Sequence, residues 1–125
     1  MIKGIALTNI TIDCKDAKKL RKFYASLLGW EEAEMFGMPV AKAPTGFTLL
    51  FAPEDGMSYE RPVWPEQPGK QQKQTHLDFT VDDVKSAVAE AEALGAVKAS
   101  DQFGGDHFTT MFDPDGHPFC LCAKG

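Results

Sequence analysis

No stretch of this chain approaches the roughly 18 uninterrupted apolar residues of a membrane-spanning helix. Residues 1–10 hold one lysine and a short apolar patch that Thr8 and Asn9 interrupt, so no secretory leader develops. Cysteine is scarce. Cys14, Cys120 and Cys122 make an odd count with no C-x-x-C spacing, which argues against a disulfide framework and fits a reducing cytoplasm. Positive charge is not in excess either: 13 Lys and Arg stand against 18 Asp and Glu, a net charge of −5. Nothing electrostatic therefore favours nucleic acid or an anionic membrane as partner. What is present is ordinary for a globular protein. At 125 residues and 43% hydrophobic, the chain suits one domain that buries a core without staples.

The organising stretch is Thr75-His76-Leu77-Asp78-Phe79-Thr80-Val81-Asp82-Asp83. Leu77, Phe79 and Val81 alternate with His76, Asp78 and Thr80, the period-2 pattern of a strand with one apolar and one polar face. Asp82 and Asp83 then stand where a helix takes its N-cap. The same design occurs once before: Asn9 and Thr11 alternate with Ile10 and Ile12, and Asp16 holds the capping place. The polar sides of the two copies are the candidate lining of a functional cavity.

The first half reads as a strand over 5–13 and a helix with Leu20, Phe23, Tyr24, Leu27 and Leu28 on one stripe. Lys18, Lys19, Arg21 and Lys22 form its solvated face, and Gly29 stops it. Strands follow over 30–36, 39–43 and 47–52, turned at Gly37 and at Pro44-Thr45-Gly46. Residues 53–74 carry four prolines and no period, and read as a tether between half-domains. Trp64 in its middle either pins the loop to the body, the favoured reading, or plugs a cavity mouth. The second half repeats the first. Val84, Ala87, Val88, Ala91 and Leu94 form a helical stripe that Gly95 ends, and strands are expected over 96–103, 107–112 and 118–123. Asp113-Pro114-Asp115-Gly116 is a tight turn between the last two. The expected fold is α+β: two βαβββ modules, about 1–53 and 75–125 with the connecting loop 54–74, whose curled sheets surround a cavity with helices outside.

The paired halves, the "HLDFTVDD" opening of the second and its "DPDGHPFCL" ending resemble the vicinal-oxygen-chelate superfamily of glyoxalase I, bleomycin-resistance proteins and extradiol dioxygenases. Trp64-Pro65, Gln71, Gln72 and then His76-Leu77-Asp78 look most like its small glyoxalase-like branch. The resemblance implies a homodimer and a divalent metal held by two side chains per half. Those positions fall at Asn9, Leu49 (Leu50 if displaced by one), His76 and Cys120. Leucine cannot ligate, and asparagine is a weak neutral donor. No conventional metal cofactor is therefore expected. A non-standard site of His76 and Cys120, joined by Cys122 or His107, is the alternative. Glu54 and Asp55 fall just past a strand end, outside the expected cavity.

Each candidate also has a plainer role. His76 lines the cavity or is satisfied by strand neighbours. Asp78 holds a ligand, orients the His76 imidazole, or caps a turn. Asn9 and Thr11 offer hydrogen bonds to a ligand or to each other. Phe47, Leu49 and Phe51 form an apolar cavity wall or ordinary core. Cys120 and Cys122 read first as small buried strand residues. His107 is at the rim or solvated, while His117 and Lys42 are expected to be exposed. The reading that follows is a protein binding a small organic molecule. The alternative is a glyoxalase-type lyase, isomerase or dioxygenase working through a non-standard metal or through His76 and Asp78.

Overall fold

Two aspartates start the two helices. Asp16 is extended, and its carboxylate accepts the Lys19 backbone N–H at 3.1 Å. Asp83 is extended as well and accepts from the Lys85 N–H at 3.1 Å and the Ser86 hydroxyl at 2.9 Å. The Ser86 hydroxyl contributes most to holding the Asp83 carboxyl below the usual carboxylate range. These caps satisfy backbone donors that a helix start leaves open.

The structure, a computed structural model, describes residues 1–53 and 59–125. Glu54 and Asp55 lie outside the described residues. Two units are resolved, Met1–Tyr59 and Glu60–Gly125, each with its own sheet and helix. The first holds β1 (Asn9–Cys14), α1 (Ala17–Leu28), β2 (Glu31–Met35), β3 (Met38–Lys42) and β4 (Thr48–Pro53). Its sheet order is β1-β4-β3-β2, with β1 and β4 parallel and the other pairs antiparallel. The second holds β5 (Leu77–Val81), α2 (Val84–Ala93), β6 (Val97–Lys98), β7 (Phe108–Phe112) and β8 (Pro118–Ala123), in the order β5-β8-β7-β6. Again the outer pair, β5 with β8, is parallel. The α+β class and the duplicated βαβββ module are as the sequence implies.

In the first unit the core lies between α1 and the sheet. Leu20, Phe23 and Tyr24 are buried, and the Tyr24 ring stacks on Phe51 at 5.8 Å and 9°. Gly29 ends the helix in the left-handed conformation at φ 68°. Arg21 is not merely solvated: its guanidinium pairs with Glu32 at 3.2 Å and donates to the Ala33 carbonyl at 3.0 Å, clipping α1 to β2. In the second unit Phe119, Leu121 and Met111 are buried, and Phe79 meets Phe119 edge-on at 5.9 Å.

Several boundaries differ from expectation. The first strand starts at Asn9 rather than near residue 5, because a turn from Ile2 to Ile5 breaks the run and leaves Ile5 and Leu7 exposed. The strand expected over 96–103 is cut to Val97–Lys98. The Gln102 side chain takes over there, donating to the Ala99 and Thr110 carbonyls and accepting the Thr110 N–H. Leu94 caps α2 and is exposed instead of joining its buried stripe. Residues 60–74 belong to the second unit.

Candidate functional site

Register decides which side chains share a face. Partners in a sheet ladder point the same way, and alternate residues point oppositely. Asp78 is the partner of Cys120, and Cys120 is in turn the partner of Thr110. One side of the second sheet therefore carries Asp78, Thr80, Cys120, Cys122 and Thr110, with His76 immediately before β5. The other side carries Leu77, Phe79, Phe119 and Leu121 and supplies the apolar core.

Three donors converge on the polar side. His76 Nε2 lies 3.3 Å from Asp78 Oδ1. One ligand atom each from His76, Asp78 and Cys120 lies within 4.8 Å of the other two. Thr110 Oγ1 sits 3.4 Å from Cys120 Sγ. His76 and Asp78 are exposed, whereas Cys120 is buried. Burial pushes the Cys120 thiol up from its ordinary value; the negative charge of Asp78 adds to this, and the Thr110 hydroxyl works against it. Burial also raises Cys122, with Asp78 and Cys120 contributing. The thiolate is the nucleophile. Both thiols are accordingly expected to alkylate slowly near neutral pH, with rates that climb past the pH at which free cysteine levels off. Peptide mapping of iodoacetamide adducts against pH checks this, and a midpoint at or below that of free cysteine contradicts it.

The first unit offers a different face. Aligning the capping aspartates sets Asn9 against His76 and Thr11 against Asp78. Thr11 is the partner of Leu50, as Asp78 is of Cys120. The counterpart of Cys120 is therefore Leu50, and the alternative displaced by one is the correct one; Leu49 points to the opposite side. Phe51 is on that opposite side too, flat against Tyr24 with no exposed surface. Leu49 and Phe51 are helix-facing core, not part of the polar face. Phe47 precedes β4, is half-buried and meets Trp30 edge-on at 6.4 Å. Asn9 is occupied locally: its amide donates to Thr11 Oγ1 and its oxygen accepts from the Thr8 hydroxyl, each at 3.4 Å. Lys42 is exposed.

Trp64 pins its loop. The Val63 N–H donates to the Gln71 carbonyl at 2.9 Å, folding the segment back on itself. The indole meets Phe103 edge-on at 6.1 Å and lies under Lys73 Nζ at 4.9 Å, and Lys73 also pairs with Glu66. His107 is exposed, closes a turn through its backbone, and is outside the donor cluster. His117, expected to be exposed, is half-buried. Its Nδ1 lies 2.8 and 2.9 Å from the two Asp113 oxygens, because the Asp-Pro-Asp-Gly turn closes over that carboxylate. Gly116 in this turn has φ 94°, and a Cβ there would come within 2.4 Å of the Arg61 side chain, so only glycine fits. Thr110 and Gln102 were missed. The first was readable from parity along β7, whereas the second acts through a loop with no periodic signal.

As a metal site the four positions implied by the resemblance do not form a conventional set. Leu50 has no donor, and Asn9 is engaged with its neighbours. The three donors of the second unit are chemically suited to a transition metal, two of them being imidazole and a potential thiolate.

Two open sheets, each built as βαβββ with a polar first strand, define the vicinal-oxygen-chelate class of protein. The model of the glyoxalase-like domain matches residues 9–122, and the chain belongs to that family. Solved structures share the fold. A glyoxalase/bleomycin resistance protein/dioxygenase family enzyme from Burkholderia phytofirmans PsJN is 15% identical with a TM-score of 0.69, covering 95% of this chain and 98% of that one. A glyoxalase/bleomycin resistance protein from Albidiferax ferrireducens T118 is 17% identical with a TM-score of 0.64, covering 94% and 98%. The trypanothione-dependent glyoxalase I of Leishmania major is 18% identical with a TM-score of 0.64, covering 96% and 87%. A comparison with curated proteins finds no match. Among the described residues no helix is long and apolar enough to cross a membrane.

Proposed function

We propose that this chain binds a small organic molecule against the polar side of its second sheet, without the four-ligand divalent centre of its superfamily. The observation that carries this reading is the convergence of His76, Asp78 and Cys120, with Thr110 behind the sulfur, on strands whose other side is core. The cluster combines an imidazole, a carboxylate and a hydroxyl on a rigid sheet. That set suits a ligand with a hydroxyl or amino group, which donates to Asp78 and accepts from or donates to His76. A ligand that binds only the folded chain raises its melting temperature. Hydroxylated and amino-bearing metabolites are thus expected to include one that raises Tm by several degrees, with the shift lost in both His76→Ala and Asp78→Asn. Calorimetric titration of that compound checks the result. Undiminished affinity in both variants sinks the reading.

A second reading, a glyoxalase-type lyase, isomerase or dioxygenase, is favoured by the 3.3 Å contact between His76 and Asp78. A carboxylate that accepts a hydrogen bond from one ring N–H leaves the lone pair of the other nitrogen to accept a proton, the arrangement of a general base. Names of the structural neighbours include glyoxalase I and dioxygenase family enzymes, which is consistent with it.

A further inference from the structure

Metal chemistry in this superfamily draws two ligands from each half, and here the first half supplies neither. The second half holds three potential donors by itself. Ladder register places Asp78 beside Cys120, and His76 stands two residues before Asp78 on the same side. The three donor atoms fall within 4.8 Å of one another. In tetrahedral zinc sites, metal–ligand bonds of about 2.0–2.3 Å put neighbouring donors roughly 3.3–3.8 Å apart. His76 Nε2 and Asp78 Oδ1 already stand at 3.3 Å. The remaining closure falls on His76 and Asp78, whose side chains are exposed, whereas Cys120 is buried.

We propose that His76, Asp78 and Cys120 form a site for a borderline or soft divalent transition metal, of the zinc and cobalt(II) class, contained within the second unit. The proposal rests on the reading that these three side chains are the binding site, and it names a group they hold. One thiolate and one imidazole select against magnesium, calcium and manganese, which prefer all-oxygen sets. Asp78 is a ligand rather than only a partner that orients the imidazole. Three protein donors leave a fourth position for water or for an oxygen of the organic molecule. Thr110 Oγ1, 3.4 Å from Cys120 Sγ, supplies the outer contact that fixes a ligating sulfur. Cys122 shares the face but is outside the three-donor cluster.

Cobalt(II) titrated into full-length, chelator-treated protein tests this, because cobalt bound to a thiolate absorbs in the near ultraviolet by charge transfer. The expected result is a band that saturates at one equivalent, is erased by zinc and is untouched by magnesium. Cys120→Ser abolishes the band, Cys122→Ser keeps it, and His76→Ala and Asp78→Asn each weaken binding by about tenfold or more. Far-ultraviolet circular dichroism verifies that every variant is folded, and Cys120→Ser, nearly isosteric, is the variant least able to disturb the sheet. The proposal is overturned if wild-type protein shows no band, if the band survives Cys120→Ser or vanishes with Cys122→Ser, or if His76→Ala and Asp78→Asn leave affinity unchanged. A missing band together with a His76-dependent organic ligand removes the metal and keeps the ligand-binding reading. A band in a protein that binds no organic molecule does the reverse.

Discussion

Asp113→Ala is expected to destabilise the second unit by about 3 kcal/mol or more, enough to lose a large part of a domain's stability. The carboxylate is almost wholly buried, at 1% exposure. Its Oδ1 accepts the Asp115 N–H at 2.9 Å and the His117 N–H at 3.0 Å, and both oxygens lie within 2.9 Å of His117 Nδ1. Alanine leaves these donors facing a void, and hydrogen bonds to a charged acceptor are worth roughly 1.5–3 kcal/mol each. The damage is not local. The turn also closes through the Gly116 N–H on the Asp113 carbonyl and the Asp113 N–H on the His117 carbonyl, each about 3 Å long, and it sets the register of β7 against β8. That register places Thr110 beside Cys120. Asp113→Asn keeps one acceptor oxygen and is expected to cost less than half as much. Urea unfolding of the two variants checks the order, and a loss below about 1 kcal/mol in Asp113→Ala shows that the carboxylate is not the keystone of the turn.

The turn shows what local chemistry makes legible. Asp-Pro-Asp-Gly demands a tight reversal whatever surrounds it, and the reversal is there. The two capping aspartates and the Gly29 stop behave the same way, because each depends on residues within one helical turn. The alternation in residues 76–81 is visible because β5 has one polar side. β4 has no such signal. Thr48, Leu49, Leu50 and Phe51 are all buried, so hydropathy does not alternate and the assignment slips by one residue. A slip of one exchanges the two sides of a strand, which is why the sequence places Leu49 and Phe51 toward the cavity and offers Leu50 only as the displaced alternative. Residues 60–74 were opaque for another reason. Trp64 is held by Phe103, Arg61 packs over Phe112, and both partners lie far along the chain, where no sequence period connects them. His117 reads as exposed in a polar turn. Only the folded loop shows that its imidazole covers Asp113.

Phe51→Ala is expected to cost about 3–5 kcal/mol and to leave ligand binding by the folded protein unchanged. The ring has no exposed surface and lies parallel to Tyr24 at 5.8 Å, while Tyr24 meets Phe23 edge-on at 4.9 Å. Truncation removes the sheet-side member of this aromatic layer, the ring on which Tyr24 stacks. A helix and a β-strand of fixed length cannot close around the missing ring, so most of its volume persists as a cavity. Phe47→Ala supplies the contrast. Phe47 is half-buried and touches Trp30 at its edge, so about 1 kcal/mol is expected there. The pair also tests the assignment of faces. A Phe51 on the side of the sheet away from α1 would spare stability on truncation. Core placement requires the opposite, because Phe51 shares its side with Ile12, and the polar side of the same ladder belongs to Thr11 and Leu50. Chemical denaturation of Phe51→Ala beside Phe47→Ala therefore decides between the two faces of β4.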